Sequence, residues 1–439
     1  MSTSLGSLAP HGYLHRVADE QVSDALGSAP IVVIDGVKGC GKTWTGLRHA
    51  HSRVLLSEDL AARQGAEIVP RRALEGERPR LIDEWQTVPT IWDTARHVVD
   101  EGRDMGCLIL TGSAQPADDV TRHSGAGRVR RVRMRPMSLL ESGESDGSVS
   151  LGSLLDGESC DAAASDVTVP DIAELLCRGG WPRHLGQSAS VAQDLLESYL
   201  DEMASVDLPE ASRSRHNPTR VRRLLTSLGR HTSTTASLST LARDVAGDPP
   251  MSWHATASYL DALQRVYMVE DVPVWPSRLR SRATLQQSPK RHFADPSLAA
   301  AVTGATPGRL LDDPETLGLM FESLVIRDLR VYADANHARV FHWRTSYGNE
   351  FDAVVERRDG SWLPVEVKLS AARVDDAARS LIKACETVDD AARSLIKACE
   401  TVDAGERGAP VAKLVVTATG YGYRRPDGVS VVPITVLGP

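Results

Sequence analysis

The sequence predicts an α/β protein of several domains with a helical middle, and three stretches carry that prediction. An apolar run of strand length, "IVVID" (31–35), leads into "GVKGCGKT" (36–43) and a helix-like segment from Lys42. Two further strand candidates, "RLID" (80–83) and "CLILT" (107–111), alternate with helical stretches, as in a parallel sheet. Near the far end a helix pattern (316–333) precedes strand patterns at 338–344, 350–357 and 362–369. A helix over 375–402 and strands at 411–418 and 428–436 follow.

At 439 residues the chain is long enough for about two to four domains, each with its own core. Apolar content of 41% and charged content of 25% are those of a soluble globular protein. The net charge of -8 argues against a protein that coats nucleic acid or membrane through its overall field. Cys40, Cys107, Cys160, Cys177, Cys385 and Cys399 contain no CxxC pair, which reads as reduced thiols. The opening "MSTSLGSLAPHGYLHRVADE" lacks the apolar core of a signal peptide, and no apolar run approaches the roughly 18 residues of a membrane span. A soluble cytoplasmic protein is expected.

Five segments follow along the chain. Residues 1–29 form an arm with a short helix over 13–27, and residues 30–145 form the α/β core around the Gly-rich loop. Residues 146–205 read as linker and helical lid, with the Gly-, Ser- and Asp-rich stretch 142–168 as loop. Within 206–280, helices are expected over 219–231, 237–247 and 252–274, the last running into a strand, an order compatible with a winged helix. Residues 281–439 make the C-terminal α/β domain. It contains an exact tandem repeat, "VDDAARSLIKACET", over 374–387 and 388–401.

"GVKGCGKT" fits G-x-x-x-x-G-K-[ST]. Gly36, Gly39 and Gly41 let backbone N–H groups curl around phosphate oxygens, Lys42 brings a cation, and Thr43 offers a hydroxyl to Mg²⁺. A helix opening at the loop adds its positive dipole end. Asp83 and Glu84 end the strand "RLID". In such a place Asp83 holds Mg²⁺ through water, and Glu84 orients or deprotonates the attacking water. "CLILTGSA" ends in Thr111 and Ser113, polar groups suited to sensing the γ-phosphate. Arg128, in "HSGAGRVRRVRMRP", is a candidate arginine finger among four other arginines.

"DGVKGCGKT", "PRLIDEWQTVPTIWD", "ILTGSA", "HSGAGR" and "RMRPMSLLESGES", followed by "LCRGGWP", resemble a large prokaryotic family of AAA+-like ATPases. Its members pair the ATPase with a C-terminal domain of unknown function. The resemblance runs from about residue 13 to the C-terminus outside the repeat. It implies ATP binding through Gly36, Gly41, Lys42 and Thr43, with Asp83 and Glu84 in the Walker B position, and it implies no established substrate.

Two basic runs carry no acid: six arginines over 213–230 and five Lys or Arg over 278–291. On a winged helix such runs grip DNA phosphates without reading sequence. The alternative is a solvated helix face or an interface with the acidic ATPase domain.

In "SWLPVEVKLS", strand alternation places Trp362, Pro364, Glu366 and Lys368 on one face. Asp352, on the preceding strand across "RRDGS", lies beside them. Converging carboxylates require a cation, and oxygen ligands suit a hard divalent metal. A lysine beside it positions or activates water for attack on phosphate. Glu322, in "GLMFESLVIRDL", completes the set. Helix with Glu, then Asp, then E-x-K, then helix resembles the PD-(D/E)XK (restriction-endonuclease-like) nuclease fold, with Phe351 where that motif has proline. The resemblance implies Mg²⁺ or Mn²⁺ at Glu322, Asp352 and Glu366, with Lys368 catalytic. Three readings stay open. One is an ATPase coupled to a nuclease-like domain acting on DNA, in a possible homo-oligomer. Another is an ATP-switched DNA- or protein-binding regulator with a vestigial site. The last is a scaffold that holds nucleotide to stay folded.

Overall fold

The computed structural model describes residues 8–102, 104–115, 125–160, 163–212, 216–245, 251–276, 287–344, 349–369, 393–400, 402 and 408–439. Two compact units form. One comprises Met1–Pro136, Glu202–Asn217 and Ser258–Met268; the other comprises Met137–Asp201, Pro218–Ala257 and Val269–Pro439. These units cut across the five expected segments. No helix among the described residues is long and apolar enough to cross a membrane.

The first unit opens with α1 (Val17–Ser28), β1 (Ile31–Gly36), α2 (Lys42–His49), β2 (Ser52–Leu55) and β3 (Arg80–Asp83). Then come α3 (Thr90–Asp100), β4 (Leu108–Gly112) and β5 (Val129–Met134). The five strands form one parallel sheet in the order β2-β3-β4-β1-β5. All six residues of β1 are buried, because helices cover both faces of a parallel sheet and every side chain then meets a core. Ile31, Val33, Ile82, Trp85, Ile91, Trp92 and Leu110 pack one such core. Since the strands run the same way, the turns after β1, β3 and β4 leave at one edge. That edge carries the Gly-rich loop, Glu84 and Ser113.

The second unit begins with two short strands, β6 (Val149–Ser150) and β7 (Ala163–Ser165), inside the stretch expected to be loop. At two and three residues, neither is long enough to show a period. After them come α4 (Pro218–Arg230), α5 (Leu238–Asp244) and α6 (Trp253–Arg265), then β8 (Val269–Val272) and β9 (Lys290–Phe293). α6 is divided between the two units. β8 pairs antiparallel with β9, and Thr234 bridges Arg291 antiparallel.

α7 (Pro314–Ala335) starts at Asp313, whose carboxylate accepts from the Thr316 N–H, with Pro314 in the first turn. It leads to β10 (Ala338–Arg344), β11 (Glu350–Arg357), β12 (Trp362–Lys368), β13 (Lys413–Thr417), β14 (Gly420–Arg424), β15 (Val429–Pro433) and β16 (Leu437–Gly438). A seven-stranded sheet has the order β10-β11-β12-β13-β15-β14-β7. β10, β11 and β12 form an antiparallel meander, while β12, β13 and β15 are parallel. β12 is therefore interior, and six of its seven residues, on both faces, are buried. Phe351 is fully buried and stacks on Trp343 at 4.7 Å between centroids, so the residue at the motif's proline position is a core residue.

Residues 137–201 are fastened to this unit by more than strand pairing. Arg327 on α7 pairs with Asp295 and Asp328 at 2.8 and 2.7 Å, and all three are buried. Asp328 accepts from the Leu139 N–H, and Asp295 from the Gly180 N–H. A Cβ on Gly180 would meet the Met137 oxygen at 2.0 Å, which explains the second glycine of "LCRGGWP".

Most of the repeat at 374–401 lies outside the described residues, but 393–400, within the second copy and the expected helix, is helical. Leu395 is fully buried with Ala398 and Val402 against Trp275, Trp343, Trp362 and Val415.

Candidate functional site

The Gly-rich loop joins buried β1 to α2, and its backbone needs its glycines. Gly39 and Gly41 adopt φ of 85° and 106°, the left-handed region that favours glycine. A Cβ on Gly36 would lie 2.2 Å from the Met134 oxygen of neighbouring β5. Lys42 is buried at the start of α2, and its Nζ donates to the Val37 oxygen at 3.0 Å, inside the loop itself.

Asp83 stands at the end of β3 beside this loop. Its Oδ1 accepts from the Thr43 and Thr111 hydroxyls at 2.8 and 2.5 Å. Burial raises its pKa above the ordinary carboxylate range, against those two hydrogen bonds. Glu84 follows with φ of 51°, strained for a residue with a Cβ and of the kind that gathers at functional sites. Its Oε2 accepts from the Ser113 hydroxyl at 2.8 Å and from Gln86 Nε2. Lys42, Thr43, Asp83, Glu84 and Ser113 thus share one sheet edge.

Arg128 does not join them. Its carbonyl accepts from the Ile31 N–H at the start of β1, the end of the sheet opposite the loop. Its guanidinium pairs with Asp100 at 2.6 Å. A strand of six residues spans about 20 Å, too far for this arginine to reach a nucleotide on its own loop.

In the second unit, Glu322 on α7, Asp352 on β11, and Glu366 and Lys368 on β12 face one cluster. Sequence reasoning missed its fifth member. Lys290 on β9 lies 2.8 Å from Glu322 Oε1 and 3.3 Å from Asp352 Oδ1. Lys368 Nζ lies 2.9 Å from Glu366 Oε1, and the Val367 N–H donates to Asp352 Oδ2 at 2.9 Å. Glu366 Oε2 is buried and has no hydrogen-bond partner.

Three carboxylates face two ammonium groups, so the cluster carries excess negative charge and holds protons tightly. Burial, then repulsion from Asp352, pushes Glu322 up to about 8 and Glu366 up to about 7. Burial alone would lower both lysines. Glu322 and Asp352 outweigh it for Lys290, and Glu366 and Asp352 for Lys368, so both rise. Among the described residues no group of three His, Cys, Asp or Glu is placed to hold a metal ion.

The profile of the AAA domain family matches residues 28–142, the stretch that builds the parallel sheet and its loop edge. Residues 28–142 are an AAA-type P-loop ATPase domain. Beyond this ATPase domain, a domain of unknown function, DUF8612, matches 169–309, and another, DUF4143, matches 317–437. Among solved structures, the chain is similar to the Walker-type ATPase of Pyrococcus abyssi, at 12% identity and a TM-score of 0.42, covering 67% of this chain and 99% of that one. AMPPCP-bound DnaA from Aquifex aeolicus is 14% identical with a TM-score of 0.28, covering 60% and 93%. The Thermotoga maritima RuvB Holliday junction branch migration motor is 15% identical with a TM-score of 0.28, covering 61% and 94%. No curated protein matches the chain.

The arm before the ATPase domain touches the loop. Arg16 donates to the Cys40 and Arg135 oxygens, both at 2.8 Å, bracing the loop from behind. The Tyr13 hydroxyl meets Thr45 at 2.9 Å and donates to Asp19 at 2.8 Å. Nothing in a single sequence marks contacts of this kind. Lys290 did leave a signal, as a basic residue in a strand-like "KRHF", but the run around it suggested a surface.

Proposed function

We propose that the ATPase domain hydrolyses ATP with Mg²⁺ and that a nuclease-like C-terminal unit of the same chain acts on DNA under its control. In this reading the backbone around Gly36, Gly39 and Gly41 cradles the phosphates, with Lys42 as their cation. Thr43 and Asp83 hold Mg²⁺, Ser113 senses the γ-phosphate, and Glu84 orients water once released from Gln86 and Ser113. Arg128 serves as a finger only on a neighbour's nucleotide, in a homo-oligomer.

The observation that carries the nuclease-like half is the meeting of Glu322, Asp352, Glu366 and Lys368 from one helix and two strands. The order of helix, antiparallel meander and parallel crossover supports a PD-(D/E)XK-like fold. The buried, unpartnered Glu366 Oε2 fits a hard cation, so Asp352 and Glu366 are the ligands we assign to Mg²⁺ or Mn²⁺. A bound divalent ion would supply Lewis-acid stabilisation of a phosphodiester, and Lys368 would orient water beside it. The sequence α4, Thr234 bridge, α5, α6, β8, β9 supports a winged-helix-like module, with Arg220, Arg222, Arg223 and Arg230 on α4 toward phosphate. Arg222 already pairs with Glu197 at 2.6 Å, which tempers that face. The rest of the basic runs, 213–215 and 278–286, lies outside the described residues.

One observation favours a second reading, an ATP-switched binding regulator with a vestigial site. Lys290 already pairs with both Glu322 and Asp352 without metal. Turnover of Mg²⁺–ATP by the full chain, abolished in Glu84→Gln, tests the ATPase half, and its absence from the wild type would refute it. Metal-dependent plasmid nicking separates the two readings of the other half.

A further inference from the structure

We propose that Lys290 is a resident cation of the carboxylate cluster, and that Asp352 and Glu366 hold a divalent ion only when Lys290 withdraws from Asp352 onto Glu322. This deepens the metal-site reading above and rests on it. Asp352 gives Oδ2 to the Val367 N–H, so Oδ1 is the oxygen left for a metal, and Lys290 stands 3.3 Å from it. Glu366 gives Oε1 to Lys368 and keeps Oε2 buried without a partner. Of the two oxygens that remain for an ion, one is open and the other is covered by an ammonium.

Burial makes that ammonium hard to ignore. The side chains of Lys290, Glu322 and Asp352 are 10%, 12% and 10% exposed. A buried ammonium keeps its charge only by staying paired, and little water screens it from an incoming dication. Glu322 supplies the place to retreat to, since its contact of 2.8 Å is already the shorter of the two. Lys290 enters from β9, a strand of the small β8–β9 pair, so its position depends on a different element from those bearing Asp352 and Glu366. Metal affinity is thereby set by a residue that is not a ligand.

The test is calorimetric titration of Mn²⁺ into nucleotide-free, full-length protein, wild type against Lys290→Met. The expected result is affinity at least about tenfold tighter in the variant. Asp352→Ala in that background should remove the binding and so locate the ion. Should Lys290→Met fail to fold, Lys290→Met with Glu322→Gln removes the ammonium together with its shortest carboxyl partner and should show the same gain. Equal affinity in wild type and variant overturns the role of Lys290 and leaves the metal-site reading standing. No heat from any folded variant overturns both.

Discussion

Glu366 shares one oxygen with Lys368 and keeps the other buried without a partner, and its acidity should betray it. Folding raises its pKa from 4.5 to about 7, chiefly through burial and then through Asp352. The folded state thus binds this proton more tightly than the unfolded chain. The stability it contributes is present in full below the unfolded value and is lost as pH climbs through about 7. In metal-free protein, the melting temperature of wild type should fall relative to Glu366→Gln between about pH 5 and 8. Parallel profiles would contradict the burial of an ionisable Glu366. At the P-loop, Mg²⁺–ATP at about 100 times its dissociation constant should stabilise wild type by about 2.7 kcal/mol. Lys42→Ala should lose most of that shift, and an unshifted wild type would remove the nucleotide site. The loop's residues were legible because their spacing is local. Lys290 was not, since its carboxylates lie far along the chain, at 322 and 352, and only the fold brings them together.

Among the elements, β1, α2 and β3 announced themselves through an apolar run, a glycine signature and a strand-ending acid pair. β10, β11 and β12 were equally plain, but the environment of β12 was not. Alternation suggests one wet face, whereas its neighbours β11 and β13 and the packing above and below bury both. β6 and β7 stayed hidden because they are short and gain their pairing from β16 and β14, more than 250 residues away. The repeat gives the sharpest element-scale prediction. Its two copies are identical, so deleting either leaves the same chain, with one "RSLIKACE" available for the core position of 393–400. Deleting 388–401 should therefore move the melting temperature by less than about 2 °C, under roughly 1 kcal/mol. Leu395→Ala, by contrast, empties a fully buried position and should cost about 2–5 kcal/mol. A large loss of stability on the deletion would mean that the fold requires both copies.

For the whole molecule, the chain's route matters more than its list of domains. The second unit takes in 137–201 and 218–257 as well as 269–439. A fragment starting at residue 281 would lose β7 from the large sheet, β8 from beside Lys290, and the Leu139 and Gly180 N–H groups that satisfy buried Asp328 and Asp295. Such a fragment should show no cooperative unfolding transition, and a sharp one by calorimetry would contradict this description of the unit. The ATPase domain and the carboxylate cluster belong to one chain, and we propose that the first governs the second. Plasmid nicking with Mn²⁺, with and without ATP, tests that claim most directly when wild type, Lys42→Ala and Asp352→Ala are compared. Wild type should nick in an ATP-responsive way, Lys42→Ala should nick without responding to ATP, and Asp352→Ala should not nick. Nicking that persists in Asp352→Ala, or no nicking by wild type under any of these conditions, would contradict it.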